Sequence, residues 1–140
     1  MKKFAIGALF TKDLKQVVLF NSGKTDSLTN LPGDEVKPGE TYYDCVSRAV
    51  LTQADIFIKP DDWKLIGKLA RNGSSCVCLY TAVLDKVQFP RITIEGSDVA
   101  FIDVDRLPTF SRKDLKWLVE FAKYTHCQEN KLALKLDVIL

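Results

Sequence analysis

Histidine is almost missing from this chain: His126 is the one residue of its kind among 140. The four cysteines, Cys45, Cys76, Cys78 and Cys127, have no zinc-type spacing with it. They are expected to be buried free thiols, with Cys76 and Cys78 on one face of a strand, and a disulfide framework is not expected. His126 is expected at a helix end, where the dipole favours it, and not as a general base. Long apolar runs are missing too, the longest being a few residues where a membrane span needs roughly 20. Met1-Lys2-Lys3 runs into strand-like alternation instead of a signal peptide. A soluble chain, located in the cytoplasm, is therefore expected. Charge of one sign is also lacking, because 20 Lys and Arg face 18 Asp and Glu. A net charge of +2 exerts no long-range pull on nucleic acid or an anionic membrane, so neither is expected as a partner.

What is present suffices for one ordinary core: 46% of the residues are hydrophobic, and residues 1–140 are expected to form a single domain. Residues 3–10 and 16–20 are short β-prone runs separated by polar Thr11-Lys12-Asp13-Leu14-Lys15, which predicts a hairpin. Asn21 to Pro38 is rich in Ser, Thr, Asn, Asp, Gly and Pro and reads as one long loop, a length usually kept for function. Thr41 reads as an N-cap answered by Asp44, and Tyr42, Cys45, Val46, Ala49 and Val50 recur at helical spacing, which predicts a helix over 42–54. Strands are expected at 63–70 and 75–84, joined by a tight turn at Arg71-Asn72-Gly73, and again at 99–104. Ser111, with Asp114 three residues on, should cap a second helix ending near His126, and the alternation of Leu132, Leu134, Leu136 and Val138 suggests a last strand. Trp63 and Trp117 are expected to pack in or at the rim of the core, the alternative being that an exposed one stacks a nucleobase. Lys12, Lys15, Lys24 and Lys37 flank the expected mouth of a cleft and could contact phosphates there, although lysines in loops are usually just solvated.

The most informative stretch is Leu31-Pro32-Gly33-Asp34-Glu35-Val36-Lys37-Pro38-Gly39-Glu40, followed by Arg48 eight residues after Glu40. It resembles the start of the box of the Nudix hydrolase superfamily, the MutT-like proteins, whose pattern is G-x5-E-x7-R-E-U-x-E-E-x-G-U with U a bulky aliphatic residue. The resemblance implies a Nudix-type α/β/α sandwich with a mixed central sheet, and the order of elements agrees with it. It also implies a helix that holds Mg²⁺ or Mn²⁺ against a nucleoside diphosphate, and there this sequence departs from the pattern. Aligned on Glu40 and Arg48, the first glycine falls on Asp34, and the three carboxylates fall on Ala49, Thr52 and Gln53.

Those three positions stand at i, i+3 and i+4 and so share one helix face. Hard cations want charged oxygen ligands, and an alanine, a hydroxyl and a neutral amide supply none. At an effective dielectric near 20, each carboxylate about 4 Å away attracts a divalent ion by several kcal/mol, so their loss is expected to remove ordinary metal binding. No metal cofactor is expected at the family positions. Glu40, Arg48 and Asp44 are expected to survive as a brace between helix and loop, with Arg48 pairing either acid.

Two readings follow from the resemblance. In the first, the chain keeps a cleft for a nucleotide-type ligand or a partner and has dropped metal-dependent turnover. In the second, it is a working hydrolase of a nucleoside diphosphate derivative, its Mg²⁺ or Mn²⁺ held by relocated acids: Asp34 with Glu95 or Asp98, with Glu35, Asp44 and Asp55 also near in sequence. A homo-oligomer is compatible with both.

Overall fold

Strand β1 (Lys2–Phe10) carries the architecture, because it has neighbours on both edges and is buried from Gly7 to Phe10. The computed structural model describes residues 2–20, 30–71, 75–84, 99–107 and 113–127. Along one edge, β1 pairs in parallel with β5 (Ser75–Val83) from Lys2↔Ser75 to Phe10↔Val83. Its other edge is shared: β2 (Gln16–Phe20) pairs antiparallel at the Phe10 end, and the short β3 (Gly33–Glu35) pairs antiparallel with Phe4, Ala5 and Ile6. With β4 (Lys64–Arg71) antiparallel to β5 and β6 (Val99–Asp103) antiparallel to β2, the sheet is mixed and runs β4-β5-β1-β2-β6.

Alternation along the strands sends side chains into two cores. Ala5 and Leu9 of β1, Val18 and Phe20 of β2, and Cys78 and Tyr80 of β5 meet Cys45, Val46, Val50 and Ala54 of helix α1 (Tyr42–Ala54). Ala8, Phe10, Val17, Leu19 and Leu79 meet Leu115, Leu118, Val119 and Ala122 of helix α2 (Lys113–Cys127) on the opposite face. The result is the expected α/β/α sandwich. Each fully buried Leu, Val or Phe contributes about 1.5–3 kcal/mol, and the central strands carry apolar side chains on both faces for this reason. No helix among the described residues is long and apolar enough to cross a membrane.

Local chemistry fixes α1. Thr41 Oγ1 accepts from the Asp44 N–H at 3.1 Å while Asp44 Oδ2 accepts from the Thr41 N–H at 3.3 Å, a reciprocal cap. The helix ends on Asp55, held left-handed at φ 57°, its N–H donating to Leu51 O at 3.1 Å. Helix and sheet approach closely at Gly7, where a Cβ would lie 2.8 Å from the Trp63 ring and 2.9 Å from Val46.

Two expected boundaries differ. The loop placed over Asn21–Pro38 contains β3, and Asn30 forms a bridge to Phe20, although Gly-Asp-Glu has little strand preference. Pairing with an exposed edge of β1 overrides that preference. Trp63 precedes β4 instead of opening it: a 3₁₀ turn at Pro60–Asp62 delivers it to the core, where it is 3% exposed and its Nε1 donates to Ser47 Oγ at 2.9 Å. The expected Asn72-Gly73 turn, the Ser111 cap, the last strand at 132–139 and Lys24 lie outside the described residues.

Candidate functional site

The site begins at a turn. Pro38 and Gly39 sit between Lys37 O and the Glu40 N–H, which bond at 3.0 Å, and Gly39 has φ 81°, as the third position of a type II turn requires. The turn aims Glu40 back at α1. There Arg48 Nε donates to Glu40 Oε2 at 2.8 Å and its Nη2 to Oε1 at 3.0 Å, a two-pronged pair. The same guanidinium reaches Asp34 Oδ2 at 2.9 Å and the Glu35 carbonyl at 3.1 Å. Glu40 Oε1 also accepts from the Lys37 N–H. These contacts, led by the Arg48 hydrogen bonds, hold the Glu40 carboxyl down at about 2, and the paired acids push the Arg48 guanidinium further up.

Of the two acids expected as partners, Arg48 takes Glu40, and Asp44 stands apart from this network. Its carboxylate is turned to the Thr41 amide, a nearer partner that the first helical turn supplies. Asp34, fourteen residues before Arg48, is the second acid on the guanidinium, and its Oδ1 accepts from the Glu35 N–H at 2.7 Å. Only the antiparallel seat of β3 beside β1 brings it there. Glu95 and Asp98, the proposed companions of Asp34, lie outside the described residues.

On the helix face itself, Ala49 is fully buried. The Thr52 hydroxyl donates to Ala49 O at 3.3 Å. Gln53 reaches across to β3: its carbonyl accepts from the Gly33 N–H at 2.9 Å, and its NH₂ donates to Gly33 O at 3.0 Å. One planar amide thus satisfies both backbone groups of one residue. Close by, Cys45 donates to Asp34 O at 3.4 Å, and burial pushes its thiol up to about 11, which leaves it protonated and a poor nucleophile. Cys76 is half-buried and Cys78 buried on the same core, both free.

Gly33 and Asp34 are also the rim of a cleft of about 700 Å³, within the roughly 300–1,000 Å³ typical of small-molecule sites. Lys2, Phe4 and Ile6 line it from β1, joined by Ser75 and Val77 of β5 and by Phe20, Asn30 and Leu31. The cleft therefore offers an ammonium, a carboxylate, a hydroxyl, an amide and two aromatic rings on a mixed polar and apolar wall. Lys12, Lys15 and Lys37 are not in this lining, whereas Lys2 is; Lys15 borders a smaller polar cleft with Asp103, Asp105, Arg106 and Lys123. Leu31, Gly33 and Asp34 belong to the box stretch, but the other cleft residues left no motif in the sequence. Alternation along β1 does put Lys2, Phe4 and Ile6 on one face, but the facing wall depends on the register of β3 and β5. Gln53 was legible as a lost ligand and not as a clamp.

No protein-family model matches the sequence, and no curated protein matches it. Solved structures do match its fold. A MutT structure from the pair Aliivibrio salmonicida and Vibrio cholerae superimposes with a TM-score of 0.64 at 14% identity, covering 85% of this chain and 96% of that one. A MutT/Nudix family protein from Enterococcus faecalis gives 0.58 at 16% identity, over 73% of this chain and 43% of that one. The Nudix domain of Shewanella oneidensis NrtR, complexed with ADP ribose, gives 0.66 at 22% identity over 89% and 87%. Together they show that the chain has the Nudix fold.

Proposed function

We propose that this Nudix-fold chain binds a nucleotide-type small molecule and does not turn it over by metal-dependent chemistry. The observation that carries the reading is the state of the helix face that the box assigns to metal. Ala49 is buried without a donor, Thr52 bonds a helix carbonyl, and both ends of the Gln53 amide are committed to Gly33. This donor set does not fit Mg²⁺ or Mn²⁺, which need several charged oxygens at close range. Asp34 would have to leave Arg48 to serve as a substitute, which exchanges an ion pair for a lone ligand.

Support for a nucleotide-type ligand comes from the cleft and from the fold. Phe4 and Phe20 supply apolar surface for a flat base, and Lys2 supplies a cation for phosphate. The NrtR domain of the same fold holds ADP ribose. ADP and ADP ribose are therefore the first probes. A ligand that binds only the folded state must raise the melting temperature. Either probe should raise it in the presence of EDTA, whereas Mg²⁺ or Mn²⁺ alone should leave it unmoved up to millimolar concentration. Phosphate or nucleotide release from nucleoside diphosphate derivatives incubated with Mn²⁺, abolished by Asp34→Ala, would instead establish a hydrolase with relocated ligands.

A further inference from the structure

We infer that Gln53 is a positioning residue that fixes the Gly33 edge of the cleft against α1, so that the cleft is shaped for its ligand without a divalent cation. The ligand half of this inference rests on the function proposed above; the positioning half stands on geometry alone. The rim residues Gly33 and Asp34, and Pro32 just before them, are tied down in three directions. Pro32 O accepts from the Gly7 N–H of β1 at 2.8 Å, Gly33 is held at both backbone groups by Gln53, and Asp34 is held by Arg48. Gly33 also sits too close to β1 for a side chain, since a Cβ there would lie 2.8 Å from Ala5 O and 3.0 Å from Ile6.

Residue type matters at this position. A primary amide is both donor and acceptor, while a carboxylate only accepts. A glutamate at 53 would satisfy the Gly33 N–H and leave Gly33 O facing a negative charge. The amide that ends metal ligation at this site is thus the group that closes the backbone contact. The middle tie of the rim belongs to Gln53, and the cleft inherits its shape from it.

The experiment compares the wild type, Gln53→Ala and Gln53→Glu. Affinity for ADP and ADP ribose is measured by calorimetry in EDTA and in millimolar Mg²⁺, and amide exchange at Gly33 is followed by NMR. The wild type should bind equally well in both buffers. Gln53→Ala should bind about tenfold more weakly and exchange its Gly33 amide about tenfold faster, while β5 amides keep their protection. Gln53→Glu, which keeps the acceptor, should slow Gly33 exchange relative to Gln53→Ala. Wild-type affinity that requires Mg²⁺, or Gln53→Ala binding as tightly as wild type, overturns the inference. If the wild type binds neither probe, the ligand reading is lost; an unchanged Gly33 exchange rate in Gln53→Ala then removes the positioning role as well.

Discussion

Arg48 does more than any other side chain to hold the site, and its chemistry gives it a pH signature. It is 24% exposed and Glu40 14%, so the pair is sheltered from water and less screened than a surface bridge. Removing the guanidinium leaves Glu40 and Asp34 facing one another with no cation between them. Arg48→Ala is expected to cost about 2–3 kcal/mol in urea denaturation, and Arg48→Lys to recover less than half, because an ammonium cannot match both carboxylate oxygens. The folded Glu40 carboxyl lies near 2, against an ordinary 4.5. Its depressed value means that its stabilisation is complete above about pH 4.5 and is lost as the pH falls toward 2. Glu40→Gln should therefore be less stable than wild type at neutral pH, with the gap closing on acidification through that window. A gap that stays constant from neutral pH down to about 2 would show that the carboxylate charge contributes nothing.

Among the elements, β3 is the smallest and the most exacting. It is three residues long, yet it carries the rim of the cleft and seats Asp34 beside Arg48. Gly33→Ala forces a methyl to within 2.8 Å of the Ala5 carbonyl, a backbone atom that cannot swing aside. The variant is expected to lose about 1–3 kcal/mol and to weaken ligand binding, with β4 and β5 unaffected in amide exchange. Native affinity in a Gly33→Ala protein would mean that the rim does not shape the cleft. β3 also marks where sequence reading ends. The hairpin of β1 and β2, helix α1 with its Thr41 and Asp44 cap, and the strands that became β4, β5 and β6 were all legible, because local period and capping chemistry specify them. A Gly-Asp-Glu strand was not, since it exists only by pairing with β1. The same holds for the partners of Arg48: Glu40 was visible at a fixed spacing within the box, while Asp34 joined through topology. Asp55 lay in between. The last glycine of the box pattern falls on it by simple counting, and its left-handed φ is the backbone that this glycine would take without strain.

At the scale of the whole molecule, the Nudix fold is complete while the helix face that the box pattern assigns to metal carries no carboxylate at positions 49, 52 and 53. The mixed sheet, both cores and the turn that presents Glu40 are in place, so the fold does not depend on carboxylates at those positions. On that face Ala49 is fully buried and Gln53 is bonded to β3. Placing glutamate at positions 49, 52 and 53 together gives that face the acids of the box pattern. Without metal, a carboxylate forced in at the fully buried position 49 and the loss of the Gln53 donor should destabilise the chain by about 3 kcal/mol or more. With metal, three converging carboxylates on one helix face should bind Mn²⁺, and at a hundredfold excess over its Kd the ion should return about 2.7 kcal/mol. The triple variant is thus expected to melt well below the wild type in EDTA and to recover most of the difference in Mn²⁺, whereas the wild type melts at one temperature in both. A triple variant indifferent to Mn²⁺ would mean that residues 49, 52 and 53 do not converge as the box alignment requires, and the argument from lost ligands would fail with it.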